Sequence, residues 1–154
     1  MSKQKTSFVY VTYIRSTPEK VFDAIVNPAV ARRYWGHENV SDWQPGSSWS
    51  HVRTDAQRSV DLIGKVVEVT PPSRLVITWA NASQTEDPAS HSRVTFELTP
   101  IEDMVRLTVS HDELEAGSGM EQGITRGWPL VLSSLKSLLE TGQGMDVYAN
   151  AKAA

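Results

Sequence analysis

The side chains of this 154-residue chain that can move protons are few and scattered. His111 continues the alternation of Val105, Leu107 and Val109. On a strand it shares their apolar face and would offer a hydrogen bond or a proton inside a cavity. Its competing role is that of a strand-end imidazole, partly wet and bonded to backbone. His51 and Arg53 share a face with Trp49, an arrangement suited to a carboxylate or a phenolate. On an edge strand the same pair would face solvent. Asp112 and Glu113 adjoin His111 and suggest an acid–base cluster, although consecutive strand-end carboxylates are more often solvated. His111, His51 and Arg53 are therefore candidates, and no catalytic residue is assigned.

Other chemistries find no support. The histidines at 37, 51, 91 and 111 lack any metal-ligand spacing, so no metal site is expected. The absence of cysteine excludes disulfides and thiolate nucleophiles. There is no nucleophile elbow, phosphate loop or dinucleotide fingerprint, and no cofactor is expected. Gly117-Ser118-Gly119 precedes a helical pattern and reads as a hinge rather than an anion cradle. A net charge of −3 without runs of like charge argues against nucleic acid and anionic membranes as partners. No stretch is apolar enough for a signal peptide or a membrane span, and the expected location is cytoplasmic.

The elements that must position the candidates follow from periodicity. Phe8–Arg15 reads as a strand. Thr17-Pro18 caps and opens a helix carrying Val21, Phe22, Ile25 and Val26, and Asn27-Pro28 opens a second that runs to Gly36. Ser48–Arg53, Val60–Thr70, Arg74–Ala80, Arg93–Thr99 and Met104–His111 read as strands, separated by turns and by the polar connections 54–59 and 81–90. Val60–Val69 is apolar on both faces, which leaves its inward side open. Met120–Thr141 then places Ile124, Trp128, Val131, Leu132, Leu135, Leu138 and Leu139 on one stripe. At about 1.5 Å per residue this helix spans roughly 33 Å. Pro129 interrupts its hydrogen bonding, and a kink is expected there. The fold class is α+β, a single domain ordered over about 8–141, with a curved antiparallel sheet wrapped around a long C-terminal helix and residues 143–154 frayed.

Several stretches in this order carry a family resemblance: Pro45–Trp49 (PGSSW), Gly64–Trp79, Ser92–Pro100, Val105–Leu114 and Gly123–Glu140. Together they resemble the bacterial homologues of the heat-shock-protein-90 ATPase activator, within the START and birch-pollen-allergen superfamily. The resemblance implies a helix-grip fold with a cavity between sheet and C-terminal helix. It delivers no activity, because relatives include lipid carriers, receptors and polyketide cyclases.

The expected pocket is lined by Trp49, Trp79, Phe96, Leu107, Val109, His111, Ile124, Trp128 and Leu132. Its expected occupant is a small apolar or aromatic molecule. The alternatives are a cyclase or dehydratase working through His111 or the His51/Arg53 pair, and a chaperone- or stress-related interaction module. A homodimer is compatible with any of these.

Overall fold

The computed structural model describes residues 4–83 and 91–147. Its elements are β1 (Lys5–Ile14), α1 (Pro18–Val26), α2 (Pro28–Trp35), β2 (His37–Ser41), β3 (Ser48–Arg53), β4 (Val60–Thr70), β5 (Arg74–Asn81), β6 (Ser92–Ile101), β7 (Met104–Glu115) and α3 (Gly119–Thr141). The seven strands form one antiparallel sheet ordered β1-β7-β6-β5-β4-β3-β2. One face carries α3, the helix-grip arrangement. Of the connection 81–90, residues 84–90 lie outside the described residues, as does the tail from 148.

The short helices are set by their caps. Thr17 Oγ1 accepts from Lys20 N at 3.2 Å, and Asn27 Oδ1 accepts from Ala29 N at 3.0 Å, each followed by proline at the first helical position. Gly36, at φ 71°, ends α2 in the left-handed region and turns the chain into β2. Tyr34 is buried and donates its hydroxyl to Ala24 O, locking α2 to α1.

Two departures from periodicity have local causes. Strand β2, HENVS, has no apolar alternation, yet it forms the edge beyond β3. Its Glu38 and Asn39 are buried because each has partners: Arg58 and Arg32 for the carboxylate, His51 and Ile25 O for the amide. In β4 the pairing with β5 shifts between Val66 and Glu68, a bulge that interrupts the period of two. Gly64 and Val66 are buried, while Val60 and Val67 are exposed.

Helix α3 is clamped as its stripe requires. Val131, Leu132, Leu135 and Leu138 are all buried, Leu135 completely. The hinge expected at Gly117–Gly119 is instead a capping box. Ser118 Oγ accepts from Glu121 N at 3.1 Å, and the Glu121 carboxylate accepts from Gly117 N at 2.7 Å. The helix begins well before Pro129 and continues past it to Thr141, so the proline is interior rather than a start signal. Gly142, at φ 87°, closes the helix through its N–H to Leu138 O. The tail does not fray at once. Ser134 Oγ donates to Met145 O at 3.0 Å and accepts from Met145 N at 2.8 Å, docking residues expected to be loose.

Candidate functional site

The apolar stripe of α3 meets the sheet through rings. Trp128 is buried and lies edge-on to Phe96 at 5.8 Å, edge-on to Trp35 at 5.6 Å, and tilted against Trp79 at 5.4 Å. Trp79 in turn packs on Trp49 at 5.3 Å. Trp49 Nε1 donates across β4 to Thr78 O at 2.7 Å. Its indole covers Gly64, where an added Cβ would stand 1.9 Å from Thr78 O and 2.4 Å from Trp49 Nε1. Only glycine leaves that ring its place.

Toward its N-terminal end α3 stands away from the sheet, and a cleft of about 270 Å³ opens between them. Trp35 from α2, His51 from β3, Leu62 from β4 and Trp79 and Asn81 from β5 line one side. The helix side presents Met120, Ile124, Trp128 and Val131, with Gly119, Gly123 and Gly127 four residues apart along the rim. A Cβ built on Gly119 or Gly123 meets nothing within 4 Å. These two glycines therefore border open space, although the interior one, Gly123, weakens the helix by about 1 kcal/mol relative to alanine. Among the described residues no charged side chain lines the cleft.

His51 is a buried polar group in this wall, beside the exposed Asn81, and its tautomer follows from its neighbours. Asn39 Nδ2 donates to Ile25 O at 2.9 Å, so the amide oxygen is what faces His51. At 2.7 Å that oxygen requires the proton on His51 Nδ1, leaving the lone pair on Nε2. Nε2 has no protein partner among the described residues. The ring is held from the other side by His37, stacked on it at 4.3 Å and nearly parallel. Burial, and then the nearby His37, push the His51 pKa well below the usual imidazole value, so the ring is neutral at physiological pH.

His111 is fully buried and both of its nitrogens are occupied. Trp128 Nε1 donates to Nδ1 at 3.1 Å, which places the proton on Nε2 for donation to Ser92 Oγ at 2.7 Å. Ser92 Oγ donates onward to Trp79 O at 3.2 Å. Burial lowers the His111 pKa to about 3. This imidazole is a neutral spacer that fastens the helix to two strands, and it does not line the cleft. Neither Asp112 nor Glu113 enters the set of bonds at its ring, and Glu113 is exposed. In the wall beside it, Trp79 Nε1 is buried without a partner among the described residues.

Of the residues expected from periodicity, Trp79, Ile124 and Trp128 line the cleft. Trp49, Phe96, Leu107, Val109, His111 and Leu132 are packed core behind it. His51 lines the cleft, but its supposed companion Arg53 does not. Near a bulge in the β3–β4 pairing, Arg53 lies half-exposed with its Nε 2.8 Å from Asp61. The Asp61 carboxyl sits below the usual carboxylate range. Desolvation opposes that shift, and hydrogen bonds from Arg53 and His37 outweigh it. Sequence reasoning missed Trp35, Leu62, Asn81, Met120 and Val131 as lining, and it missed the glycine rim. The four-residue spacing of Gly119, Gly123 and Gly127 was the available signal. Among the described residues no group of three acidic or histidine side chains is placed to hold a metal ion, and no helix is long and apolar enough to cross a membrane.

The same architecture recurs among solved structures. The Aha1 dimer from Colwellia psychrerythraea is 18% identical with a TM-score of 0.75, over 90% of this chain and 99% of that one. An HSP90 activator from Plasmodium falciparum is 23% identical with a TM-score of 0.73, over 86% and 95%. A protein from Mesorhizobium loti is 27% identical with a TM-score of 0.73, over 88% and 97%. No curated protein matches the sequence. The family model described as Activator of Hsp90 ATPase homolog 1-like protein matches residues 15–140, a span that runs from the end of β1 almost to the end of α3. With the sheet, the gripped helix and that match in agreement, the chain belongs to the Activator of Hsp90 ATPase homolog 1-like family.

Proposed function

We propose that this protein binds a small apolar or aromatic molecule in the cleft between the sheet and the first turns of α3. The observation that carries the reading is the glycine rim. Three helical glycines at successive turns line a tryptophan-walled cleft, and at Gly119 and Gly123 even an added Cβ would touch nothing. Both positions are exposed, and glycine at Gly123 forgoes the helix propensity that alanine would add. Three tryptophan rings among the lining residues suit an apolar ligand.

Catalysis gains less support. His111 has no free nitrogen, and the lowered pKa of His51 makes it a poor base near neutral pH. Native mass spectrometry of freshly purified protein tests the reading. The expected result is a bound small molecule that is lost in Gly123→Leu, whose side chain narrows the mouth while the fold is kept. A variant that retains the same adduct at full occupancy would place the ligand elsewhere.

A second reading rests on a different surface. Val9, Val11 and Tyr13 stand exposed at 56%, 45% and 44% in a row on edge strand β1, an apolar stripe suited to a protein partner. The names of two structural relatives, an HSP90 activator and a dimer, fit such a role. Val11→Lys should then abolish association while leaving the cleft unchanged.

A further inference from the structure

The buried imidazole of His51 in the cleft wall restricts what the apolar ligand can carry. On the reading that the cleft is a binding site, we propose that it selects a neutral aromatic molecule bearing a hydroxyl group that donates its hydrogen bond to His51 Nε2.

Asn39 is held by the Ile25 carbonyl with its oxygen toward His51, so Nδ1–H is already committed at 2.7 Å and Nε2 is an acceptor only. The ring cannot swing away to offer a donor. It is 3% exposed, sandwiched between the parallel ring of His37 at 4.3 Å and the edge of Trp35 at 4.7 Å. A ligand carbonyl or ether oxygen at Nε2 would bring two lone pairs together. A hydroxyl or N–H brings a donor, and among aromatic molecules a phenol is the simplest that presents one in the ring plane.

Charge excludes the other obvious candidate. An aromatic carboxylate would enter a wall without a charged side chain among the described residues, facing an imidazole that burial keeps neutral. Its desolvation would go uncompensated. Arg53, the cation once expected to accompany His51, is turned to Asp61 and does not reach the cleft. A phenolate is excluded on the same ground.

The shape of the cleft fits the class. Trp35, Trp79 and Trp128 line it from separate elements, and about 270 Å³ accommodates a bicyclic aromatic.

The test is a calorimetric series at pH 7 with naphthalene, 2-naphthol, 2-methoxynaphthalene and 2-naphthoate on the wild-type chain. A neutral hydrogen bond in a desolvated site should make 2-naphthol bind roughly tenfold more tightly than naphthalene or the methyl ether. The carboxylate should bind more weakly than all three. In His51→Phe the naphthol advantage should vanish while naphthalene binding persists. If that variant does not fold, the ratio of naphthol to its methyl ether on the wild type still decides. Equal binding of naphthol, its ether and naphthalene would overturn the proposal and leave the cleft reading intact. Tightest binding of the carboxylate would also overturn it. No binding by any of the four would sink the cleft reading with it.

Discussion

The two halves of α3 face the same sheet and do opposite things. From Leu132 to Leu138 the stripe is aliphatic, buried and closed against the strands. From Gly119 to Trp128 it alternates glycine with large side chains, and there the helix stands off far enough to leave a cleft. One continuous helix thus carries an anchor at one end and a wall at the other. Its N-terminus is pinned by the Ser118–Glu121 capping box rather than by packing. The lesson is that this helix uses aliphatic residues where it must hold and glycine where it must leave room. The His111–Trp128 bond sits where the two regimes meet.

Substitutions that treat the halves alike should give unlike results. The largest effect belongs to the anchor. Leu135→Ala, at a fully buried position, should cost about 2–5 kcal/mol in denaturant unfolding. A loss under about 0.5 kcal/mol would mean that the helix is not clamped there.

Next comes Gly64→Ala, on the sheet side beneath the aromatic layer. Its Cβ would collide with Thr78 O and with Trp49, and about 3 kcal/mol or more of stability should be lost. Near-UV circular dichroism should report the displaced tryptophan. An unchanged spectrum would show that the layer is looser than the contacts imply.

The pH dependence separates the two imidazoles from the rest. His111 is neutral when folded and, with a folded pKa of about 3, resists protonation, whereas the unfolded chain takes up that proton below about pH 6.5. The His111 contribution is therefore complete above that pH and falls as pH drops toward 3, by about 1.4 kcal/mol per unit, and the lowered pKa of His51 acts in the same direction. His111→Gln should flatten part of the slope. A slope identical to that of the wild type would show that this ring is not protected from protons.

The smallest effect has the opposite sign. Gly123→Ala should leave stability unchanged or raise it by up to about 1 kcal/mol, because the added methyl meets open space and helix propensity improves. A clear loss on thermal unfolding would mean that the cleft is not open at that rim.

The fold was legible because its signals are local. The Thr17-Pro18 and Asn27-Pro28 caps, the alternation from Val105 to His111, and the stripe from Ile124 to Leu139 each declare an element without outside information. Strand β2 was not legible, since its buried Glu38 and Asn39 become tolerable only once Arg58, Arg32 and His51 arrive from elsewhere in the chain. The site divides in the same way. Alternation put His51 and His111 on apolar faces but left open whether they met solvent; both are buried, and their roles depend on partners that no spacing reveals. Ser92 and Trp128 close off His111, while Asn39 fixes the tautomer of His51 and leaves Nε2 free. The glycine rim was visible in the sequence as a period of four. Its meaning needed the sheet opposite.

The cleft itself is tested most directly by nuclear magnetic resonance, following backbone amides and indole N–H signals while 2-naphthol is titrated into uniformly labelled protein. The account predicts saturable shifts at Gly119, Gly123 and Gly127 and at the indoles of Trp35, Trp79 and Trp128, with Val9 and Val11 unmoved. Saturable shifts confined to β1, or none at the glycine rim, would contradict it.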